Sequence, residues 1–211
     1  MKICEIFTSI QGESTLQGLP FVFVRLAGCN LNCRYCDTRY ARAGGTDMSI
    51  EEILNKLEDF DFSFLCITGG EPLLQTDTFL LAEECVQRGY GVSVETNGTI
   101  DASQLHEDVI RIIDIKCPGS GEHGKTHPKN ITHPRPSDEF KFVLTNRADF
   151  EYACEFIKKH RFTETCTVLI SPAWNILEPN IVAEWILNEI PEARLNLQLH
   201  KIIWPDDSKG R

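Results

Sequence analysis

The chain has 211 residues, of which 42% are hydrophobic and 25% charged, and a formal net charge of −10. These values are typical of a soluble globular protein, and we expect residues 1–211 to form a single domain. The negative charge argues against nucleic acid as a partner, since nucleic acid needs a basic face. No apolar run reaches the ~20 residues that a membrane span requires, so we expect no membrane partner either.

The cysteines and the N-terminus both favour a reducing compartment. Residues Met1 to Ile6 show no charged region followed by an apolar run, so the sequence predicts no secretory peptide. We therefore predict a cytoplasmic protein, in which thiols stay reduced, and nine cysteines would not pair completely in any case. Four cysteines lie in apolar runs and are interpreted as core residues: Cys66, Cys85, Cys154 and Cys166.

Apolar runs predict strands along the whole chain, at residues 21–26, 64–67, 91–95, 109–113, 140–144, 166–170 and 195–199. Several are almost continuously apolar, which is typical of parallel strands covered on both faces. Apolar residues at helical spacing predict helices after Ser49, around Phe79, after Asn146 and from Pro179, with a short one near Asp101.

Alternating strands and helices favour an α/β fold with a parallel sheet. A complete eight-unit barrel takes about 250 residues, so this chain has room for about six units and an N-terminal hairpin. We predict a shortened, TIM-like (β/α)6 partial barrel; a doubly wound open sheet is the alternative.

Polar or glycine-rich segments follow the predicted strands at their C-terminal ends. They are 68–72, 95–98, 114–118, 171–173 and 200–201. Chemistry in parallel α/β folds gathers at this end of the sheet, so the sequence predicts one site surrounded by many loops. The long polar segment 118–136, which carries His123, His127 and His133, emerges on the same side and favours a lid more than a metal site.

Three cysteines, Cys29, Cys33 and Cys36, share one loop with the spacing CxxxCxxC. A structural zinc site needs four ligands, usually two pairs, and no second CxxC follows; a zinc site completed by a distant residue is the alternative. Three thiolates suit three corners of a [4Fe–4S] cluster and leave its fourth iron open to a cofactor or substrate. The loop resembles that of the radical S-adenosylmethionine enzymes.

Further motifs fit an amino-acid-like cofactor. The pair Gly69-Gly70 exposes backbone groups after a strand, and Glu71 or the exposed carbonyls can accept from an ammonium group. This motif resembles the S-adenosylmethionine amino-group motif of the same superfamily. Glu95 and Asn97 favour binding of the cofactor's ribose or methionyl part, and a solvated turn is the alternative.

Arg25 is a cation on an otherwise apolar strand. It favours a bidentate clamp on a carboxylate, with a paired structural arginine as the alternative. Lys116, Lys141 and Lys201 are further cations near strand ends, with surface lysines as the alternative interpretation.

Segments over nearly the full chain resemble the 7-carboxy-7-deazaguanine synthase family. They are 5–13, 18–20, 23–25, 28–31, 36–38, 95–98, 114–118 and 197–201. The resemblance implies a radical lyase that contracts 6-carboxy-5,6,7,8-tetrahydropterin to 7-carboxy-7-deazaguanine with loss of ammonia, in 7-deazapurine (queuosine) biosynthesis. It also implies a homodimer, a flavodoxin or ferredoxin as electron donor, and three cofactors: a [4Fe–4S] cluster, S-adenosylmethionine and Mg²⁺.

The resemblance assigns roles to individual residues. Cys29, Cys33 and Cys36 would hold the cluster, and Thr38 the Mg²⁺. The cofactor contacts would be Tyr35, Gly70, Glu71, Glu95, Asn97, Lys116, Cys117, Pro118 and Ser171. The substrate contacts would be Ile10, Gln11, Gly12, Arg25, Thr68 and, in the tail, Pro205.

Two rival functions use the same cysteine loop. A glycyl-radical-activating enzyme shares it but acts on a protein, and it gives no reason for Gln11-Gly12-Glu13 together with Cys36-Asp37-Thr38. A non-enzymatic iron–sulfur or zinc protein gives no role to Gly69-Gly70-Glu71-Pro72.

Overall fold

The computed structural model describes residues 1–204, so the predicted substrate contact Pro205 lies outside the described residues. The strands are β1 (Lys2–Ile10), β2 (Pro20–Leu26), β3 (Thr46–Asp47), β4 (Phe64–Gly69), β5 (Gly91–Thr96), β6 (Ile110–Asp114), β7 (Glu139–Leu144), β8 (Thr167–Pro172) and β9 (Arg194–Leu195). The α-helices are α1 (Ile50–Glu58), α2 (Asp77–Gln87), α3 (Pro128–Thr132), α4 (Arg147–His160), α5 (Pro179–Glu189) and α6 (Leu199–Ile203). No helix within residues 1–204 is long and apolar enough to cross a membrane.

The strands form one sheet in the order β3-β1-β2-β4-β5-β6-β7-β8-β9. β1 and β2 pair antiparallel, as expected for the predicted N-terminal hairpin. From β2 through β4 to β8, every pairing between neighbours is parallel. The sheet does not close, because β3 and β9 remain at its two edges. The predicted (β/α)6 partial barrel is confirmed.

Local sequence signals set several helix ends. Ser49 and Glu52 form a reciprocal capping box at α1, with bonds of 3.1 and 2.7 Å. Asn146 accepts from the backbone N–H of Asp149 at 3.0 Å and caps α4, and Pro179 occupies the first turn of α5.

The predicted strand over residues 195–199 is correct only at Leu195 and wrong beyond it. β9 ends at Leu195, and residues 199–203 form α6 instead. The chain leaves the sheet after Asn196 N bonds to Ile170 O at 2.9 Å, and Leu199 N then bonds to Gly12 O, also at 2.9 Å. Tertiary contact with the loop after β1 therefore overrides the alternating pattern.

Outward-facing strand residues pack against the helices in two hydrophobic clusters. One joins β2, β4 and β5 to α1 and α2, and the other joins β6 to β8 to α4 and α5. The second cluster lies beside a buried ion pair, in which Arg111 Nε donates to Asp138 Oδ1 at 2.7 Å. Asp138 is fully buried and also accepts from Arg135 N at 2.6 Å, so both oxygens have partners.

The inward face of the barrel is partly polar, and the loop 11–19 fills its lower part. Leu16 packs against the small aromatic cluster that includes Phe21 and Phe23. The buried carboxylate of Glu139 accepts from the backbone N–H of Thr15 at 3.1 Å and from its hydroxyl. These contacts fix the loop against the inner face of the sheet.

A second polar contact lies one layer higher. Lys141 Nζ donates to Glu13 Oε2 at 2.5 Å and lies 3.8 Å from Asp114 Oδ2. Burial opposes ionisation of Glu13, but Lys141, His200 and the hydrogen bonds from Lys141 and Gln198 outweigh it and lower its pKa from 4.5 to about 2. The carboxylate is therefore ionised throughout the neutral range.

Replacing Asp138→Ala leaves the guanidinium of Arg111 buried without its carboxylate. We expect the free energy of unfolding to fall by about 3–5 kcal/mol, against about 1 kcal/mol for the Ser49→Ala cap variant. Urea unfolding of both variants measures the difference. Equal losses would show that the buried pair has no special weight.

Replacing Glu13→Gln gives a pH-dependent loss. Because the folded pKa of Glu13 lies below its usual 4.5, the pair stabilises the fold fully above about pH 4.5, and this stabilisation is lost as the pH falls towards 2. We expect the variant to be about 3 kcal/mol less stable at pH 7, near the lower end for a broken buried pair since Asp114 still faces Lys141.

Urea unfolding at pH 7, 4 and 3 tests this, with the exposed Glu192→Gln as matched control. The gap between the Glu13 variant and the wild-type protein is expected to narrow as the pH falls. A gap that stays constant down to pH 3 contradicts the assignment.

Candidate functional site

A cavity of about 630 Å³ lies at the C-terminal ends of the parallel strands. Predicted site residues that line it are Ile10, Gln11, Gly12, Arg25, Cys29, Cys33, Tyr35, Cys36, Thr38, Thr68, Gly70, Glu95, Asn97, Lys116 and Ser171. The structure thus brings together residues that are up to 161 positions apart in the chain, from Ile10 to Ser171. Parallel pairing is the reason, because it places the ends of successive strands at one edge.

The cysteine loop follows β2 and forms one wall of the cavity. Cys33 is buried, Cys29 and Cys36 are half-buried, and all three are free thiols. Burial raises the pKa of the Cys33 thiol, with the Lys116 ammonium opposing it. A metal that binds Cys33 must therefore displace the proton of this thiol.

This donor set fits a cluster better than a single ion. Within residues 1–204, no three His, Cys, Asp or Glu side chains lie close enough together to bind a single metal ion. This includes the histidines of segment 118–136. Zinc needs its ligands to converge on one point, whereas a [4Fe–4S] cluster takes each thiolate at a separate iron. Three thiols facing a cavity from one loop match the second arrangement.

Gly70 lies tightly against the cysteine loop. Glu71 N donates to Gly28 O at 2.8 Å and Gly70 N to Leu26 O at 3.2 Å. A Cβ built on Gly70 would overlap the Gly28 carbonyl and the Cys29 side chain. The glycine is therefore required for the loop after β4 to lie next to the loop after β2.

Glu71, predicted to contact the cofactor, lies behind the cavity wall. Its fully buried carboxylate accepts from Asn97 N at 2.6 Å, Thr96 Oγ1 at 2.8 Å and Leu73 N at 3.0 Å. Burial raises the pKa of this carboxyl, and the three hydrogen bonds oppose the rise. Glu71 therefore holds the Asn97 loop from behind and does not itself line the cavity.

Cys117 and Pro118 are likewise not among the residues that line the cavity within the described chain. Cys117 is fully buried and its thiol lies 3.9 Å from Ile115 O. Pro118 begins a turn of 3-10 helix over Pro118–Ser120, and the Ser120 carbonyl accepts from Arg34 N at 3.0 Å. Their neighbour Lys116 does reach the cavity.

Asn97, Tyr35 and Lys116 surround the cysteines. Asn97 Nδ2 donates to Asn30 Oδ1 at 3.0 Å and lies 4.0 Å from Cys29 Sγ. Lys116 Nζ pairs with Asp114 at 2.8 Å and lies 5.9 Å from the Tyr35 ring centroid. The Tyr35 hydroxyl is buried without a hydrogen-bond partner in residues 1–204, and burial raises its pKa.

Two predicted substrate residues, Thr68 and Gln11, contact Glu95, which is a predicted cofactor residue. Its carboxylate accepts from Thr68 Oγ1 at 3.2 Å and from Gln11 Nε2 at 3.5 Å. Arg25 Nε donates to Glu5 Oε1 at 2.8 Å, so one edge of the guanidinium is paired as the structural alternative required. Within residues 1–204 its two terminal nitrogens make no hydrogen bond, and Arg25 also lines the cavity.

Gly12 receives the C-terminal segment. A Cβ built on Gly12 would overlap the His200 ring, and Gln17 Nε2 bonds both Gly12 O and Leu197 O at 2.7 Å. The absence of a side chain at Gly12 therefore allows α6 to close one side of the cavity.

Several residues that line the cavity received no role from the sequence, among them Glu13, Asp37, Asp114 and Trp174. Asp37 pairs with Lys201 at 2.5 Å and accepts from Thr38 Oγ1 at 2.9 Å. Burial opposes its ionisation, but Lys201 and the hydrogen bond from Thr38 hold its pKa well below the usual range. The position of Asp37 between Cys36 and Thr38 could have indicated a site residue, but the sequence does not show that its partner is Lys201.

Comparisons with known proteins agree with this geometry. Residues 23–116 match the Radical SAM superfamily. The chain is 40% identical over 225 residues to 7-carboxy-7-deazaguanine synthase of Koribacter versatilis, covering 100% of both. It is 43% identical over 213 residues to the enzyme of that name from Chlorobaculum tepidum, covering 100% of this chain and 97% of the other.

The fold has a close counterpart among solved structures. The crystal structure of QueE from Escherichia coli matches with a TM-score of 0.78 and 21% identity over 94% of each chain. Identity along the full length, together with this fold and a cysteine loop at the cavity, shows that the chain belongs to the 7-carboxy-7-deazaguanine synthase family of radical S-adenosylmethionine enzymes.

Proposed function

We propose that the cavity converts 6-carboxy-5,6,7,8-tetrahydropterin to 7-carboxy-7-deazaguanine with loss of ammonia. This proposal rests on one observation: the cysteine loop, Gly70, Arg25 and Glu95 all line one cavity of about 630 Å³. That volume suits a small substrate beside a cofactor, whereas a glycyl-radical-activating enzyme acts on a protein. Identity to the synthases over the full chain also favours the small substrate.

The family implies a [4Fe–4S] cluster and S-adenosylmethionine, which when bound supply the electron transfer and hydrogen abstraction. Cys29, Cys33 and Cys36 would hold the cluster. Residues of the neighbouring walls would hold S-adenosylmethionine: Tyr35, Gly70, Glu95, Asn97, Lys116 and Ser171. Ser171 is itself fixed by Asn196 Nδ2, which donates to its Oγ at 2.9 Å.

The chain's own contribution is binding, orientation and exclusion of water. The terminal nitrogens of Arg25 suit a carboxylate, which accepts two parallel hydrogen bonds from a guanidinium. Gln11 both donates and accepts hydrogen bonds, as a pterin ring requires. Because Glu95 already accepts from Thr68 Oγ1 at 3.2 Å, its orientation is fixed before the cofactor enters.

We also place Mg²⁺ near Thr38 in this proposal. Thr38 Oγ1 and Asp37 Oδ1 are 2.9 Å apart and both residues line the cavity. Mg²⁺ requires oxygen ligands and often takes several from substrate and water. The low pKa of Asp37 keeps a carboxylate next to the Thr38 hydroxyl.

The remaining features of the proposal follow the family. They are a homodimer of single-domain chains, a flavodoxin or ferredoxin as electron donor, and a cytoplasmic location. Exposed apolar side chains on α5 and α6 support association with a second copy: Leu187, Ile202 and Ile203.

Anaerobic reconstitution tests the function directly. With iron, sulfide, a reductant, S-adenosylmethionine, Mg²⁺ and 6-carboxytetrahydropterin, we expect mass spectrometry to detect 7-carboxy-7-deazaguanine. Cys29→Ala, Cys33→Ala and Cys36→Ala should each lose the cluster absorption and the product, since each removes a thiolate. Cys85→Ala, a buried core cysteine, should keep both.

The outcomes separate the rival functions. Cleavage of S-adenosylmethionine without the deazaguanine product would keep the radical chemistry and reject the substrate. A well-formed cluster with neither cleavage nor product would favour the non-enzymatic iron–sulfur alternative.

Replacing Thr38→Ala tests the Mg²⁺ assignment. We expect the Mg²⁺ concentration at half-maximal activity to rise about tenfold or more, because one protein oxygen is lost, and Thr38→Ser to stay near the wild-type value. Steady-state titration with Mg²⁺ measures both. An unchanged Mg²⁺ requirement in Thr38→Ala would place the ion elsewhere.

A further inference from the structure

The loop that carries the cysteines has little hydrogen bonding of its own. Within residues 29–36, the one backbone hydrogen bond of the described structure runs from Cys36 N to Cys33 O at 3.3 Å, which is long for a bond between backbone N–H and C=O. A loop with so few internal bonds does not fix the direction of its side chains. Contacts from outside the loop must do so.

Two such contacts lie on either side of Cys33. The backbone N–H of Asn32 donates to Glu122 Oε1 at 2.7 Å. The backbone N–H of Arg34 donates to Ser120 O at 3.0 Å. Both acceptors belong to one short segment, residues 118–122, which we call the collar.

The collar is itself fixed to helix α4. Gly119 N donates to the buried carboxylate of Asp149 at 2.7 Å, and Asp149 also accepts from Thr145 N at 2.8 Å. A Cβ on Gly119 would overlap Thr145 and Asp149, so the collar lies directly against the start of α4. Glu122 N donates to Ser120 Oγ at 2.9 Å and closes the turn. The segment 118–136 is thus anchored at the end that touches the cysteine loop.

The Glu122 side chain is suited to a fixed acceptor role. The residue is 9% exposed, and its second oxygen, Oε2, pairs with Lys125 Nζ. The hydrogen bonds from Lys125 and from the Asn32 backbone lower its pKa, so it is an ionised acceptor at neutral pH. None of the roles predicted from the sequence used Glu122.

We propose that Glu122 is a positioning residue for the iron–sulfur cluster, because its carboxylate and the Ser120 carbonyl hold the two peptide groups beside Cys33. The proposal rests on the proposed function in assuming that Cys33 is a cluster ligand. The collar orders the cysteine loop before the cluster binds. The Lys125 ion pair is secondary, because it lies on the oxygen that does not touch the loop.

Four variants separate the hydrogen bond from the charge. Glu122→Ala removes both, Glu122→Asp keeps the charge but shortens the reach, and Glu122→Gln keeps the acceptor without the charge. Lys125→Ala removes the ion pair alone. The exposed Glu192→Ala is the matched control for loss of a carboxylate elsewhere.

Hydrogen exchange of the cluster-free protein, followed by mass spectrometry, gives the first measurement. In peptides covering 30–36, we expect the backbone amides of Glu122→Ala and Glu122→Asp to exchange about fivefold to tenfold faster than those of wild type. This is the increase that the loss of one hydrogen bond of about 1 kcal/mol would give. Glu122→Gln, Lys125→Ala and Glu192→Ala should stay within about twofold. Iron release to a chelator after reconstitution should follow the same order.

The results decide the proposal. The proposal is overturned if the rates of exchange and iron release in both Glu122→Ala and Glu122→Asp match those of Glu192→Ala. It is also overturned if Glu122→Gln exchanges as fast as Glu122→Ala. If Glu122→Ala does not fold, Glu122→Asp against Glu122→Gln makes the same comparison. If wild type takes up no cluster, the proposed function fails, while the exchange data still decide whether Glu122 orders the loop.

Discussion

The close backbone approach between the loops after β2 and β4 is the contact on which the site depends. Gly70 reaches Gly28 and Cys29 because it has no side chain, and the hydrogen bond from Glu71 N to Gly28 O fixes the approach at 2.8 Å. The buried Glu71 carboxylate then fixes Asn97, at the end of β5. Three successive strand ends are thereby joined at one edge of the cavity.

The interior of the partial barrel contains buried charged residues, among them Glu139 and Lys141. An open sheet of this length needs material to fill its inner face, and here the loop 11–19 supplies it. Its contacts are largely ionic or polar: Glu13 with Lys141, and Thr15 with Glu139. Buried charges require partners, and here Lys141 and Glu139 find theirs in the loop. The same pairs keep the charges around the cavity in fixed positions.

Glu71 and Glu122 do not face the cavity; they hold the loops that form its walls. Both carboxylates accept backbone N–H groups of a neighbouring loop, at 2.6 Å for Asn97 and 2.7 Å for Asn32. Loops at strand ends lack the regular hydrogen bonds of helices and sheets, so side-chain acceptors provide the partners that their N–H groups need. Such acceptors hold the loops that line the cavity without lining it themselves.

The sequence by itself determined the architecture and the chemical character of the site. Within residues 1–204, apolar periodicity located six of the nine strands and the four long helices, and the CxxxCxxC spacing located the cysteine loop, because these signals are local. It did not show that residues 199–203 leave the sheet for α6, since that depends on contact with Gly12. Nor did it show that Glu71 faces away from the cavity, that Asp37 meets Lys201, or that Glu122 supports Asn32. Those pairs are 26 to 164 residues apart, and only the tertiary structure decides which distant polar groups become partners.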